Sequence, residues 1–590
     1  MTRNHRVSTG LLALCAAIIP GLHGQSTPSL AGDYAGVLAG ALHLKLHIAA
    51  APDGSLTGTL DSVDQGATGI PCADFKVEGG ALTFRVPAVN GVWKGAIVDG
   101  GKSLEGKWSQ GPEMTLNFTR DTFIAAEKPS PIDGVWLGSV QAAGRTLRAQ
   151  LKLKSDRAGN ERCAFDSLDQ GALDWECANV KFEGGNLSFD VPKVRGRWSG
   201  KLSAEGDTLK GEWRQEGPYQ LDFTRRNTET KPSPGGLDAA LAPVKPEDMG
   251  PVLERDLAAA RTPVFSIGPL AEGAGVGVVV GVVRNGVRRV YAFGPVKNDS
   301  LFEIGSVTKT FTGLILARMA ARGDVKLDEP VRELLPPGTA AKPEGAEITL
   351  LDLTIQHSGL PRMPGNFRQT DPRNPYADYK PGDLYKYISS HGVAKPANPP
   401  FLYSNLGVGL LGQALANRAG LTYPALFKKE IADPLGLKDT TVALTSEQKA
   451  RFAQGHDGQR RPTSAWDLDA LAGAGALRST AGDMLTYLEA QLHPDKFPAL
   501  AASMEQTHVL RSDAGPGMRI GFGWIYPEKD AYYWHNGGTG GFSSYAFFDT
   551  KNDCAGVVLT NITVDGNFAD RLGLHVRQRL LGEAAVPVAR

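Results

Sequence analysis

The feature that most restricts the fold of this chain is an internal repeat in its first third. The segment DSVDQGA begins at residue 61 and DSLDQGA begins at residue 166, so the two segments are 105 residues apart. The same offset relates four further pairs: Cys72 and Cys177, Phe84 and Phe189, Trp93 and Trp198, Trp108 and Trp213. We therefore predict two copies of one module, at residues 32–121 and 133–226.

Each predicted module has the pattern of an all-β domain. Short alternating segments such as LTFRV (82–86) and LSFDV (187–191) are separated by glycine-rich turns. Two copies are too few for a solenoid, so each module is expected to bury its own core. The tryptophans are expected in these cores. The alternative is a face on which sugar rings stack, through which the modules would contact cell-wall glycan.

The N-terminus has the order of a secretory signal. Arg3, His5 and Arg6 precede the apolar run 11–19, which is too short to span a bilayer, and Gly24 follows. Residues 1–24 are therefore predicted to be a signal peptide. The mature protein is expected to be periplasmic or extracellular and to have no membrane span.

Charge and cysteine content add two expectations. Lys+Arg and Asp+Glu number 63 each, which gives no electrostatic argument for nucleic-acid binding. Export permits disulfides, and Cys163 and Cys177 are expected to pair, the alternative being two buried thiols. Cys554 is expected in a core.

The rest of the chain is predicted to be a linker and one α+β domain. Residues 227–247 are rich in proline, glycine and charge, as linkers are. In residues 248–590, Asn285-Gly286 between two apolar runs indicates a β-hairpin. An antiparallel sheet flanked by helices, plus a helical subdomain, is expected to hold an active site between the two. The other expected elements are strands at 532–535, 544–548 and 556–560 and a final helix at 566–582.

A serine and a lysine lie three residues apart at the start of a predicted helix, 306–322, which Gly323 ends. Residues at this spacing are neighbours on a helix, so Lys309 can reach the hydroxyl of Ser306. A serine hydroxyl is a weak nucleophile until a base takes its proton, and a lysine with a lowered pKa can be that base. The S-x-x-K motif is typical of Ser/Lys acyl-transfer enzymes.

Two further motifs complete a candidate site. Tyr403-Ser404-Asn405 precedes an apolar helix, and it supplies a phenol that can shuttle protons and an amide that can hold both the lysine and a substrate carbonyl. His535-Asn536-Gly537-Gly538 lies near the end of the chain. Glycines on a strand there would let a substrate backbone approach and would free an N–H for an oxyanion.

The three motifs, in this order and spacing, resemble those of the class C β-lactamase and penicillin-recognising serine hydrolase family. The resemblance covers about 250–585 and is supported by the segments 356–361, 475–480 and 521–524. It implies that Ser306 is acylated, that Lys309 and Tyr403 activate it and pass its proton to the leaving group, and that Asn405 orients the acyl side chain. It also implies an oxyanion hole made by the N–H groups of Ser306 and Gly538.

The third motif departs from the Lys-Thr-Gly that is usual in β-lactamases. A lysine carries a full charge for a substrate carboxylate, whereas His535 does so only in part near neutral pH. This departure favours an ester or a D-amino-acid peptide over rapid β-lactam turnover, although all three substrates stay open. We expect no metal or cofactor, because no His/Cys/Asp cluster has ligand spacing. The alternative from another class is a penicillin- or peptidoglycan-binding sensor with slow or no turnover.

Overall fold

The computed structural model of the protein describes residues 30–588 apart from several short gaps, and within them the chain forms two compact units, up to residue 122 and from residue 123 onward. The predicted signal peptide, most of the predicted linker and part of the first DSVDQGA segment lie outside the described residues. The gaps are 39–41, 52, 54, 63–66, 111–112, 121–127, 143–144, 157–159, 171, 216, 231–241, 262–269, 271–274, 564–567 and 587.

The first unit is an antiparallel β-barrel. Its strands are β1 (Gly32–Leu38), β2 (Leu42–Ala50), β3 (Leu56–Ser62), β4 (Ala67–Glu78), β5 (Ala81–Val86), β6 (Gly91–Val98), β7 (Ser103–Ser109), β8 (Glu113–Thr115) and β9 (Phe118–Arg120). The strand order is β6-β5-β4-β3-β2-β1-β9-β7, and β6 also pairs with β7, so these eight strands close into a ring. The short β8 pairs with β7 beside it.

Alternation along the strands fills this barrel with aromatic side chains. In β5 the side chains of Leu82, Phe84 and Val86 are buried, and those between them are not. Trp93 is fully buried, stacks on Phe84, and donates its indole N–H to the Leu116 carbonyl at 2.8 Å. The tryptophans of this unit therefore lie in the core, as predicted.

The second unit begins with another antiparallel β region. Its strands are β10 (Gly134–Ala142), β11 (Arg145–Ser155), β12 (Glu161–Ser167), β13 (Ala172–Glu176), β14 (Ala178–Glu183), β15 (Asn186–Val191), β16 (Gly196–Leu202), β17 (Thr208–Arg214), β18 (Pro218–Gln220) and β19 (Phe223–Arg226). The order is β13-β12-β11-β10-β19-β17-β16-β15-β14, and β18 pairs with β17. Trp198 and Trp213 are buried in its core, and a disulfide joins Cys163 to Cys177, as predicted.

The remainder of the second unit contains an eight-stranded antiparallel sheet with helices on both faces. The ten strands of this part of the chain are β20 (Val278–Arg284), β21 (Val287–Phe293), β22 (Phe302–Glu303), β23 (Arg478–Ser479), β24 (Ser512–Asp513), β25 (Met518–Ile520), β26 (Ile525–Pro527), β27 (Tyr533–Gly538), β28 (Ser543–Asp549) and β29 (Cys554–Thr560). The order in the sheet is β21-β20-β29-β28-β27-β26-β25-β24, and β22 pairs with β23 separately. This agrees with the predicted α+β class.

The helices of this part are α1 (Met249–Asp256), α2 (Ala258–Arg261), α3 (Thr308–Arg322), α4 (Leu350–Thr354), α5 (Pro381–His391), α6 (Asn405–Ala419), α7 (Tyr423–Phe427), α8 (Asp433–Leu435), α9 (Ser446–Arg451), α10 (Ala472–Gly475), α11 (Ala481–Leu492), α12 (Ala501–His508) and α13 (Phe568–Leu581). None of the described helices is both long and apolar enough to cross a bilayer. Single helical turns lie at Pro87–Val89, Leu168–Gln170, Pro192–Val194, Pro246–Asp248, Gly305–Val307, Val331–Leu334, Lys428–Ala432 and Pro494–Lys496.

The central strands are buried on both faces. In β29, Val557 and Leu559 pack into the core that contains α3 and α11, while Cys554 and Val558 pack into the core that contains α1 and α13. Because successive side chains point to opposite faces, every residue of this strand is apolar, small or hydrogen-bonded. Cys554 is thus a core residue, as expected.

Local sequence explains the elements nearest the nucleophile. Asn285 and Gly286 both have positive φ, 49° and 76°, as a two-residue hairpin turn requires, and they join β20 to β21. The predicted Ser306 helix forms as a single turn, Gly305–Val307, that continues into α3. Gly323 ends it in the left-handed conformation.

Candidate active site

Ser306 and Lys309 are in hydrogen-bonding contact at the start of α3. The lysine Nζ lies 3.0 Å from the serine Oγ, which is the contact predicted from their spacing. Ser306 lies in the turn that precedes the helix, and Lys309 lies one turn further on. The nucleophile and its candidate base are therefore placed by one short stretch of local structure.

The Lys309 amine is buried and has two further hydrogen-bond partners. Its Nζ donates to the Asn405 side-chain oxygen at 2.8 Å and to the Ala474 carbonyl at 2.7 Å. The side chain is 1% exposed. Burial, and secondarily the nearby Arg362 charge, hold the pKa of Lys309 well below its usual value. The neutral amine that a general base requires is thereby favoured.

Tyr403 brings its phenol to the same hydroxyl. It shares a hydrogen bond with Ser306, and Lys309 Nζ lies 4.8 Å from the centre of its ring. Burial raises the pKa of Tyr403 to about 12, although the bond to Ser306 opposes this. The phenol is consequently protonated at neutral pH and is suited to give a proton to a leaving group.

The Tyr403-Ser404-Asn405 motif is held by the start of α6. Ser404 caps the helix by accepting from the Gly407 N–H at 2.8 Å, and its own hydroxyl donates to the Pro361 carbonyl at 2.6 Å. The Ser404 N–H donates to the Gln356 side chain at 2.8 Å. The segment 356–361 thus holds in place Ser404, which lies between the residue with the phenol and the residue with the amide.

The glycines of the third motif lie directly against the nucleophile turn. A Cβ on Gly537 would lie 2.0 Å from the Ile304 carbonyl oxygen and 2.9 Å from the Ser306 nitrogen. A Cβ on Gly305, whose φ is +50°, would lie 2.7 Å from the Gly538 nitrogen. Because side chains are excluded on both sides, the backbones of Ser306 and Gly538 meet at the mouth of the site.

The two polar residues of the third motif point in different directions. His535 is 2% exposed, and burial together with the Lys309 charge lowers the pKa of His535 to about 3. It is therefore neutral at physiological pH, where the sequence predicted a partial charge. Asn536 points to the opposite side of β27, and its amide donates to Asp570 of α13 at 2.7 Å.

A narrow cleft of about 30 Å³ opens at Ser306. Its walls combine backbone and aromatic surface. Tyr376 and Trp466, whose ring centres are 5.0 Å apart, form one side. Gly305, Asn405, Leu468, Ala474, Gly475, Gly538 and Thr539 line the rest. Asn405 and Gly538 thus line the cleft, whereas Asn536 is turned toward α13.

The sequence did not indicate several residues that shape the site. Ala474 acts through its carbonyl, and a backbone acceptor has no side-chain pattern to reveal it. Tyr376 and Trp466 come from irregular segments. Arg362 directly follows the 356–361 segment, and that adjacency was the available signal. The carboxylate of Glu303 has a structural contact, because it accepts from the Trp466 N–H at 2.8 Å.

Comparisons with known proteins point to one family. The family model described as Beta-lactamase matches residues 263–580. The D-alanyl-D-alanine-carboxypeptidase/endopeptidase AmpH of Escherichia coli (strain K12) is 32% identical over 280 residues, 44% of this chain and 71% of that protein. A β-lactamase of Pseudomonas fluorescens is 31% identical over 266 residues, 42% of this chain and 70% of that protein. A solved class C β-lactamase from Rhodobacter sphaeroides superposes with a TM-score of 0.44 and 26% identity, over 52% of this chain and 92% of that chain.

Proposed function

Because the chain belongs to the β-lactamase family of serine hydrolases, as its three motifs predicted, we propose that it is an exported hydrolase that forms an acyl-enzyme on Ser306. The observation that carries the proposal is the convergence of Lys309, Tyr403 and Asn405 around one hydroxyl. These groups come from segments about one hundred residues apart.

Acylation begins with Lys309 as the general base. In its neutral form the amine has two N–H groups and one lone pair. The N–H groups are matched by the Asn405 and Ala474 oxygens, so the lone pair is left for the Ser306 proton. As the proton moves to Nζ, the serine Oγ forms a bond to the substrate carbonyl carbon.

Tyr403 completes the proton transfer. The phenol is protonated at neutral pH and gives its proton to the leaving nitrogen or oxygen as the scissile bond breaks. Lys309, now protonated, returns a proton to the phenol, which leaves both groups as they began. In deacylation a water molecule attacks the ester, its proton passes to the same two groups, and Ser306 regains its hydrogen.

The backbone N–H groups of Ser306 and Gly538 are assigned as the oxyanion hole. The proposal is supported by the close approach of the Gly305–Ser306 turn to Gly537 and Gly538, which a side chain at Gly305 or Gly537 would prevent. Two N–H donors fixed at the mouth of the cleft would stabilise the charge that develops on the carbonyl oxygen without reorganisation.

The substrate is proposed to be a D-alanyl peptide, a β-lactam or a small ester. The names of the relatives support the first two, since one is a D-alanyl-D-alanine carboxypeptidase and others are β-lactamases. The neutral His535 offers no charge for the carboxylate that a β-lactam and a D-alanyl peptide both carry, so recognition of either one needs another cation. All three substrate classes therefore stay open.

The test is a covalent label followed over time. The mature protein is mixed with a penicillin, with a D-Ala-D-Ala peptide and with a nitrophenyl ester, and adducts are detected by intact mass. We expect an adduct on Ser306 and none on the Ser306→Ala variant. An equal adduct on the variant would refute the assigned nucleophile.

The lifetime of the adduct separates the enzyme from a sensor. The acid nearest Ser306 in sequence, Glu303, is hydrogen-bonded to the Trp466 backbone and paired with Arg478, so it is not free to activate water. Release within seconds supports a hydrolase that deacylates through Lys309 and Tyr403. An adduct that persists for hours with every substrate would favour the sensor.

The two β regions precede the hydrolase domain in the chain. We propose that 32–121 and 133–226 are copies of one module, that 227–247 is a linker, and that 248–590 is the hydrolase domain. Equivalent cross-strand pairs support the copies: Trp93 opposite Trp108, and Trp198 opposite Trp213. The disulfide supports export. Glycan contact stays a prediction, and the buried tryptophans are not its stacking face.

A further inference from the structure

We propose that Arg362 is the specificity-determining cation of this site and that it binds a carboxylate at the end of the substrate that leaves. The inference rests on the proposed acyl-enzyme function and assigns a role that the third motif does not fill. It comes from the position of Arg362 beside Tyr403 and from the neutral state of His535.

The third motif presents no cation to a substrate. His535 is buried and neutral, and its Nδ1 lies 2.5 Å from the Asn536 carbonyl oxygen. Asn536 is hydrogen-bonded to the Asp570 carboxylate behind the strand. The part of this motif that lines the cleft is Gly538, so a carboxylate arriving there would meet no charged side chain of the motif. Anion recognition therefore has to come from another element.

Arg362 is anchored where it can supply that charge. Its carbonyl accepts the N–H groups of Asn405 at 3.0 Å and Leu406 at 3.2 Å, which fixes its backbone to the first turn of α6. Its guanidinium carbon lies 5.2 Å from the centre of the Tyr403 ring. The same ring lies 4.8 Å from Lys309 Nζ, and its hydroxyl is bonded to Ser306. One phenol thus separates this cation from the reacting serine.

The guanidinium is also available for binding. The Arg362 side chain is exposed, and within the described part of the chain it contacts the Tyr403 ring and pairs with no carboxylate. The cation–π contact with this ring leaves its N–H donors unused. A planar guanidinium with free donors is suited to hold a carboxylate through two parallel hydrogen bonds. Such a carboxylate would lie on the Tyr403 side of the serine, where the leaving group departs.

The experiment compares two peptides that differ in one group. The first ends in D-Ala-D-Ala with a free carboxylate, and the second is the same peptide with a C-terminal amide. The ratio of their kcat/KM values is measured for the parent, for Arg362→Gln and for Arg362→Lys. Arg368→Gln is the matched control, because Arg368 is exposed on the same segment and bonds to the Gly365 and Phe367 carbonyls.

We expect Arg362→Gln to lower the acid-to-amide ratio by about 10- to 100-fold, the range for one lost hydrogen-bonded charge, with most of the change in KM. Arg362→Lys should recover part of the ratio, since it keeps the charge and loses the planar pair of donors. Arg368→Gln should leave the ratio within about twofold. The ratio cancels any effect of the Arg362 charge on Lys309, which acts on both peptides alike.

An unchanged acid-to-amide ratio in Arg362→Gln would overturn the assignment. If both peptides also lost the same fraction of kcat/KM, Arg362 would be shown to act through Lys309 alone. These results leave the acyl-enzyme proposal intact. If instead the parent formed no adduct with either peptide or with any other acyl donor, the proposed function would fail, and the carboxylate assignment with it.

Discussion

Replacement of Lys309 by methionine is the most direct test of the assigned base. Methionine matches the length of the buried stem and has no titratable group. The Asn405 oxygen and the Ala474 carbonyl lose their donor, which costs about 1 to 3 kcal/mol each in the free energy of unfolding. Removal of a desolvated amine offsets part of this cost. The variant is therefore expected to fold with a lowered melting temperature.

The loss in rate should be much larger than the loss in stability. A positioned general base contributes about 10²- to 10⁴-fold, and each tenfold step corresponds to about 1.4 kcal/mol of barrier. Without Lys309 the Ser306 hydroxyl keeps Tyr403 as its partner, and the high pKa of that phenol makes it a poor base. We expect acylation to fall by about three orders of magnitude.

The assay is a stopped-flow burst with a nitrophenyl ester at several pH values, with the adduct counted by intact mass. For the parent, acylation should rise with pH as Lys309 loses its proton, through a pKa well below the usual lysine value. This rise of the acylation rate with pH should be absent in Lys309→Met. Lys395→Met, which removes a lysine paired with Asp352 at 2.7 Å, is the control and should keep it.

Acylation by Lys309→Met within tenfold of the parent, with the same rise with pH, would refute this assignment. The result would mean that another group accepts the Ser306 proton.

Three further predictions concern the turn, the sheet and the disulfide. Gly305→Ala should slow the ester burst at least tenfold and lower the melting temperature. Alanine would have to adopt the positive φ of Gly305, and its Cβ would lie 2.7 Å from the Gly538 nitrogen. A burst like that of the parent would contradict this packing. Burial raises the pKa of Asp570 from 3.8 to about 6, so the parent should lose stability as pH rises through this interval. Asp570→Asn should remove that slope and be more stable above pH 6 by up to about 3 kcal/mol, measured by urea unfolding at pH 4 and 8; equal slopes would contradict it. The double variant Cys163→Ala/Cys177→Ala should lower the free energy of unfolding of the second β region by about 3 kcal/mol, measured by urea unfolding. Cys72→Ala, which removes a free cysteine, should lower stability little. Equal losses in the two variants would argue against the cross-link as the cause.

Features that depend on neighbouring residues were predictable from the sequence. The hairpin at Asn285-Gly286 requires two positive φ values, which this pair adopts easily. The contact of Ser306 with Lys309 follows from helical spacing alone. The pairing of Cys163 with Cys177 followed from their position in one small module. In each case a few residues contain the whole physical cause.

Features that depend on tertiary burial were not predictable in the same way. The charge of His535 is set by the elements packed around it, and no local pattern shows that burial lowers its pKa. The direction of Asn536 depends on where α13 places Asp570. Arg362 became significant through its position over Tyr403, which requires the start of α6 to meet the end of the 356–361 segment.

The closed ring of the first unit limits how a partner can engage it. Each of the eight strands in the ring has a hydrogen-bonded neighbour on both sides. Those strands therefore present no unpaired edge to which a peptide could add as a further strand. Whatever docks on them has to recognise the outward-facing side chains, so surface substitutions on alternate strand positions are the way to map that contact.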